Sequence, residues 1–524
     1  MKKTILTVVF FIFIASSFSQ TPSFITDSLD NYILRGLTDW DVPGLSIVIV
    51  KDGKVAVMKG YGIKSITSKE PVDEETLFMI ASNTKLFTGT ALALLEYRRK
   101  ISLNDKITKY FPDYRLYDTT STKLLTIRDL LCHRIGTKTF QGDFTFWNSK
   151  YSRTEIMQKM RLLKPVGMFR QDYGYCNSCF MTAGQVIPKV TGQPWEVFVY
   201  DSIVVPLQMT QTHMMSVGIE NRQNRAVPYT SSFTGHLVQV PYDHWDNLGP
   251  AASIISNVKD LSKWLLFQLD SGRVNNKQVI PFPVLQRTRD VNIVTNSRKA
   301  ALFPRHFRGY GLGVLSEDYN GRQVYWHTGG AAGMVSNVCF VPEENLGIAI
   351  LTNNDNQDFF EALRFQLLDA YLGVSYTNRS LQLLTDFRSD MNKQLKEIAG
   401  WKARVRGNKP TPSIKSYTGE YANPLYGTIS ITQQGDQLLI KFNNHVNLLA
   451  TLDYMDNNEW LLQYNNIEYG IFATKFDITA NMVNGINIKA NDYVEYDPYY
   501  FERVGKSGSP EVGKKVQKLE DSKK

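Results

Sequence analysis

Cysteine is scarce: Cys132, Cys176, Cys179 and Cys339 are the only four in 524 residues. Four do not make a disulfide scaffold in a chain of this size. Cys176 and Cys179 have the C-x-x-C spacing, but nothing around them reads as a thioredoxin-like redox unit. Buried free thiols are the expectation, and one structural bridge is the alternative. The seven histidines (His133, His213, His236, His244, His306, His327 and His445) include no pair at metal-ligand spacing. That disfavours a metal hydrolase, and no metal or other cofactor is implied. Long apolar runs are missing after the N-terminus, so no transmembrane span is expected. A strong charge is missing too. Of the formal +9, the first three residues carry +2 and the tail from Gly505 carries six lysines against three acids, leaving about +4 on the folded body. No basic stripe is interleaved with aromatics, which excludes nucleic acid as the expected partner. No internal repeat is present.

The sequence does have a folded-protein composition, 43% hydrophobic and 12% aromatic, with length for more than one domain. Met1-Lys2-Lys3, the apolar run to Ala15 and Ser16-Ser17-Phe18-Ser19-Gln20 have the layout of a secretory signal. Residues 1–19 are expected to be cleaved, with no following cysteine to carry a lipid, and the protein is expected to be periplasmic or secreted. Residues 23–40 read as a helix, and 45–50 and 54–61 as strands joined by the Lys51-Asp52-Gly53 turn. Short helices are expected at 125–132 and 153–163, a loop at 142–150, and a basic loop at 290–308. Strands at 309–314, 324–327, 334–341 and 347–352 and a helix at 359–372 complete an α+β domain, residues 20–375, in which helices flank an antiparallel sheet. Residues 376–410 read as a helical connector. Residues 411–504 read as short alternating strands, a small β-barrel or sandwich domain, and 505–524 as a disordered tail.

One stretch organises the rest. Phe78-Met79-Ile80-Ala81-Ser82-Asn83-Thr84-Lys85 leads directly into an apolar helical run, with Ser82 where the helix should begin and Lys85 one turn on. A serine hydroxyl needs a base, and a lysine becomes one only when its pKa falls; burial and the positive end of a helix both push that way. The Ser-x-x-Lys spacing alone is weak, because Ser256-Asn257-Val258-Lys259 repeats it. There Ser256 reads as an ordinary N-cap. Two further motifs follow in order: Tyr175-Cys176-Asn177 at a helix start, and His327-Thr328-Gly329-Gly330 at a strand end. Tyr-x-Asn recurs at Tyr376, Tyr421 and Tyr464, whereas His-Thr-Gly occurs once. His133, near a helix C-terminus, reads as a structural cap.

At these places the sequence resembles the serine β-lactamase and penicillin-binding-protein superfamily, most closely its class C-like serine hydrolases. Thr126-Ile127-Arg128-Asp129-Leu130-Leu131 and Gly249-Pro250-Ala251-Ala252 support the likeness. Tyr417-Thr418-Gly419-Glu420-Tyr421 and Asn423-Pro424-Leu425-Tyr426-Gly427 look like the accessory β-domain often appended to such hydrolases. The resemblance implies that Ser82 attacks a carbonyl, Lys85 helps take its proton, and Tyr175 protonates the leaving group. It also implies that the backbone N–H groups of Ser82 and Gly330 form the oxyanion hole, that His327, Thr328 and Gly329 contact the substrate, and that Asn177 contacts the substrate or Lys85. His327 departs from the lysine of many relatives, and an ordinary histidine is mostly neutral at pH 7. Weaker recognition of carboxylate-bearing β-lactams follows, unless Arg305 or Arg308 restores a cation.

The leading expectation is an exported serine hydrolase cleaving an ester or amide, including D-amino-acid peptides, through an acyl-enzyme on Ser82. Its partners are small-molecule or peptide substrates. The alternatives are a class C-like β-lactamase, a non-catalytic binding protein with the same fold, and a ligand- or wall-binding role centred on the C-terminal β-domain.

Overall fold

The computed structural model describes residues 21–505. The expected signal at 1–19, and all but the first residue of the expected tail, lie outside the described residues. The helices that position the site are α1 (Leu29–Asp39), α2 (Thr84–Tyr97), α3 (Ile127–Leu131), α4 (Asp143–Phe146), α5 (Asn177–Gly184), α6 (Val258–Leu269), α7 (Phe359–Tyr371) and α8 (Arg379–Arg404). The strands of the main sheet are β1 (Gly44–Lys51), β2 (Lys54–Gly62), β3 (Ile293–Asn296), β4 (Arg308–Tyr310), β5 (Leu315–Tyr319), β6 (Arg322–Ala331), β7 (Met334–Val341) and β8 (Leu346–Thr352). They pair antiparallel in the order β2-β1-β8-β7-β6-β5-β4-β3, so the first hairpin joins the last strand at mid-sheet, with Ile47 opposite Ile350.

Both faces of this sheet are buried, and the alternation of side chains divides them. Leu45, Ile47 and Ile49 pack with α1 and α7 through Ile33, Leu37, Phe359 and Leu363. Val48 and Val50 point the other way, into the core that holds α6 and α2. Helix α2 is buried from Thr84 to Leu95, so its apolar residues run all round it and it lies in the interior rather than on the surface. Helix α3 starts where a capping box predicts: Thr126 and Asp129 bond each other's backbone N–H groups.

The structure departs from the expected elements at several points. The loop at 142–150 contains α4, and the basic loop contains β3. The strand expected across 309–314 breaks after Tyr310, because Gly313 turns at φ +83° against the Lys85 carbonyl and the chain resumes as β5. Ser256 does not cap α6; Asn257 does, its side chain accepting the Asp260 N–H at 2.8 Å. All four cysteines are buried and free.

The C-terminal strands are β9 (Gly419–Asn423), β10 (Gly427–Gln434), β11 (Gln437–Phe442), β12 (Leu449–Tyr454), β13 (Glu459–Tyr464), β14 (Ile471–Thr479), β15 (Met482–Ile488) and β16 (Tyr499–Arg503). They form a closed barrel, with β9 pairing β16 across the seam. Strands β9 and β12 have only partly buried alternation, which hides them from pattern reading. The barrel is seated on the helical part by α4, whose Phe144 is 1% exposed and packs inside the barrel core against Tyr426, Phe442 and Tyr499. On another side Arg404 of α8 pairs with Asp456 and Glu459 of the barrel. Among the described residues no helix is long and apolar enough to cross a membrane.

Candidate active site

Ser82 sits in a 3₁₀ turn, Ala81–Asn83, that feeds α2. The short strand Phe78–Met79 pairs with Ile255–Ser256, and the Ile80 N–H donates to the Ile254 carbonyl at 3.0 Å, pinning the approach to the turn. Ala81 is held at φ +47°, a left-handed conformation unfavourable for a residue with a Cβ, immediately before the serine. No side-chain cap bond uses Ser82, so its Oγ is free for chemistry. Among its buried neighbours Ser82 is the half-exposed residue.

Lys85 is wholly buried, with Nζ 3.0 Å from Ser82 Oγ, 2.7 Å from Asn177 Oδ1 and 2.9 Å from the Ala251 carbonyl. The last two can only accept. A neutral lysine therefore spends its two N–H groups on Asn177 and Ala251 and turns its lone pair to the Ser82 hydroxyl. Burial lowers its pKa from 10.5 to about 7, against the opposing pull of Asp143 and Cys176. An amine so tuned can accept a proton at neutral pH.

Asn177 opens α5, and its Nδ2 donates to Asp143 Oδ2 at 2.7 Å, which fixes the amide so that its oxygen faces Lys85. The Tyr175 ring lies 4.6 Å from Lys85 Nζ, centroid to nitrogen, and lines the same cavity as Ser82. Burial holds the Tyr175 phenol well above its ordinary pKa, so it keeps a proton to give. The sequence motifs at 82–85 and 175–177 thus meet at one point.

The third motif arrives on β6. Strand β5 stops pairing at Leu315 opposite Trp326, so from His327 onward β6 has a partner only in β7 and its other edge is open. A Cβ on Gly329 would stand 2.0 Å from the Ile80 carbonyl, so only glycine lets this edge run against the Ser82 turn. His327 is locked neutral. The Cys176 N–H donates to His133 Nδ1 at 2.9 Å, so His133 donates from Nε2 to the Tyr310 hydroxyl at 3.2 Å. Tyr310 then donates to His327 Nε2 at 2.9 Å, and His327 Nδ1–H donates to the Thr328 carbonyl. Burial, with Lys85 nearby, lowers the His327 pKa to about 3.

Ser82, Tyr175, Asn177, His327, Thr328, Gly329 and Gly330 all line one cavity of about 410 Å³. Aromatic rings of Phe140, Tyr173 and Trp326 form its walls, and among the described residues no lysine or arginine lines it. Arg305 and Arg308 are elsewhere, both paired with buried Glu317. Sequence reading missed Asp143 and Tyr310, and it took His133 only as a cap. His133 does follow a helix end, at φ +55°, but its ring also holds the Tyr175 segment and the Tyr310–His327 chain. No local pattern marks Asp143.

A family model described as beta-lactamase matches residues 29–371, and one described as a domain of unknown function (DUF3471) matches residues 403–503. Protein flp of Staphylococcus aureus (strain NCTC 8325 / PS 47) is 27% identical over 338 residues, 63% of this chain and 63% of that protein. The chain therefore spans less than two thirds of the length of that relative. Unguisins hydrolase ungD' of Aspergillus campestris is 27% identical over 434 residues, 78% of each chain. Among solved structures, the octameric penicillin-binding protein homologue from Pyrococcus abyssi shares the fold. Its TM-score is 0.58 at 20% identity, over 90% of this chain and 99% of that one. The β-lactamase model covers well over half of the sequence and takes in all three motifs that converge on the cavity, so the chain belongs to the β-lactamase family.

Proposed function

We propose that the protein is an exported serine hydrolase that cleaves an ester or amide bond, including those of D-amino-acid peptides, through an acyl-enzyme on Ser82. Ser82 Oγ attacks the substrate carbonyl carbon as its proton passes to the Lys85 lone pair. The backbone N–H groups of Ser82 and Gly330 receive the developing oxyanion. As the carbon–oxygen or carbon–nitrogen bond breaks, Tyr175 gives its proton to the leaving group and takes one back from the neighbouring Lys85 ammonium. A water then attacks the acyl carbon by the same route in reverse and frees Ser82. Proton transfer of this kind contributes about 10²–10⁴ in rate, and each oxyanion donor about 10²–10³. Asn177, held by Asp143, keeps Lys85 aimed.

The observation that carries this reading is the buried Lys85 amine, 3.0 Å from Ser82 Oγ and lowered to about 7. A hydrolase among the relatives supports it. The neutral His327, and a cavity lined by no lysine or arginine among the described residues, favour esters and amides over β-lactams, whose carboxylate would find no cation there. Intact-mass detection of acyl-Ser82 across a panel of esters, D-Ala-terminated peptides and β-lactams tests it. Adducts with esters or peptides that vanish in Ser82→Ala are expected. An unmodified protein that also ignores a fluorophosphonate probe would leave only a binding protein with this fold.

A further inference from the structure

The cavity beside Ser82 is not built by the β-lactamase-like part alone. The barrel loop between β15 and β16 reaches into it, and Tyr493 and Tyr496 stand among its lining residues. The Tyr496 ring lies tilted 5.7 Å from Phe140, which in turn meets Tyr175 edge-on at 5.7 Å, so an aromatic wall runs from the barrel to the reacting centre. Tyr493 goes further. Its hydroxyl lies over Gly330, at 1.6 Å from where a Cβ on that glycine would stand. That oxygen is buried and has no hydrogen-bond partner among the described residues. A buried hydroxyl left unpaired is unfavourable, and a bound ligand that accepts from it would recover that cost.

The surroundings indicate which ligand. Asp355 also lines the cavity; its Oδ2 accepts the Gly333 N–H at 2.8 Å. Behind it lies Glu468 of the barrel, whose carboxyl is pushed well above its ordinary pKa by burial and by the neighbouring Asp355. Asp358 lines the cavity as well. Burial and these acids keep the Tyr493 phenol protonated. Gly330 lies three residues, about 10 Å, along the strand from His327, and its N–H is the one that would receive the acyl carbonyl oxygen in the mechanism proposed above.

We propose that Tyr493 is a substrate-binding residue supplied by the barrel. Its hydroxyl bonds the acyl part of the substrate at Gly330, and with the Asp355 carboxylate it selects acyl groups bearing a protonated amine over those bearing a carboxylate. This rests on Ser82 being the nucleophile, as proposed above. The full-length mature protein is assayed with p-nitrophenyl esters of alanine, propionate and succinate. The alanine ester is expected to exceed the propionate ester at least tenfold in kcat/KM, with the succinate ester last. The alanine-to-propionate ratio should fall at least tenfold in Tyr493→Phe and in Asp355→Asn, each checked for a cooperative melt. An unchanged ratio in Tyr493→Phe, or a wild type that prefers the succinate ester, overturns the proposal while leaving the hydrolase reading intact. If the wild type turns over no ester and resists a fluorophosphonate, the hydrolase reading fails. Alanine p-nitroanilide binding by tryptophan fluorescence, wild type against Tyr493→Phe, then decides this one: equal affinity refutes it, and at least tenfold weaker binding by the variant supports it.

Discussion

Replacing Lys85 by methionine separates what the fold gains from what the chemistry loses. The amine's pKa drops from 10.5 to about 7 on folding because it is wholly buried. Between those values the unfolded chain binds a proton that the folded chain does not, so stability rises with pH across this window and is lowest below it. At about 1.4 kcal/mol per unit, the buried amine costs about 5 kcal/mol near pH 6 and about 2 kcal/mol near pH 9. Methionine fills similar space without that cost but leaves Asn177 Oδ1 and the Ala251 carbonyl without their donor, a loss of about 1–3 kcal/mol. Lys85→Met is therefore expected to be inactive, yet as stable as the wild type or more so at pH 6. Its advantage should shrink by about 3 kcal/mol on going to pH 9. Urea unfolding of both proteins at pH 6, 7, 8 and 9 measures it, since other titrating groups cancel in the difference. A difference that stays flat with pH would mean that Lys85 keeps an ordinary pKa, and the activation of Ser82 would need another source.

Three further outcomes follow from the same geometry. Tyr310→Phe removes the hydroxyl that bridges His133 and His327, leaving His327 Nε2 buried and unpaired; a loss of about 1–3 kcal/mol in denaturant unfolding is expected. Gly329→Ala drives a Cβ to 2.0 Å from the Ile80 carbonyl and displaces the Ser82 turn. It should cost about 1–3 kcal/mol and abolish fluorophosphonate labelling. Glu495→Gln weakens the barrel's hold on α4, where the carboxylate accepts the Gly142 and Phe144 N–H groups at 2.9 and 3.0 Å. Asp143 lies between them, so kcat should fall about tenfold with KM nearly unchanged, about 1.4 kcal/mol at the transition state.

What could be read from the sequence depended on how far each contact reaches along the chain. Ser82 and Lys85 share a helical turn, so spacing alone placed them together, and the apolar residues around them foretold a buried amine. Tyr175, Asn177 and His327 were found by their motifs, and the structure brings them to the same cavity. Asp143 sat in a stretch read as loop, and its role comes from Asn177, 34 residues away. The neutrality of His327 was anticipated from its ordinary pKa, but its cause, a chain through Tyr310 to His133, joins residues that no periodicity relates. The choice between barrel and sandwich hung on β9 and β12, whose half-exposed faces blur the alternation.

The barrel is gripped at several points, among them Phe144 buried in its core and Arg404 at the end of α8, itself anchored to the main body through Arg379 and Asp369. A closed cylinder held at separate points cannot swing as a flap about one joint. The mouth of the cleft therefore keeps a set width, and a bulky polymer would have to present a free end or an exposed loop to reach the serine.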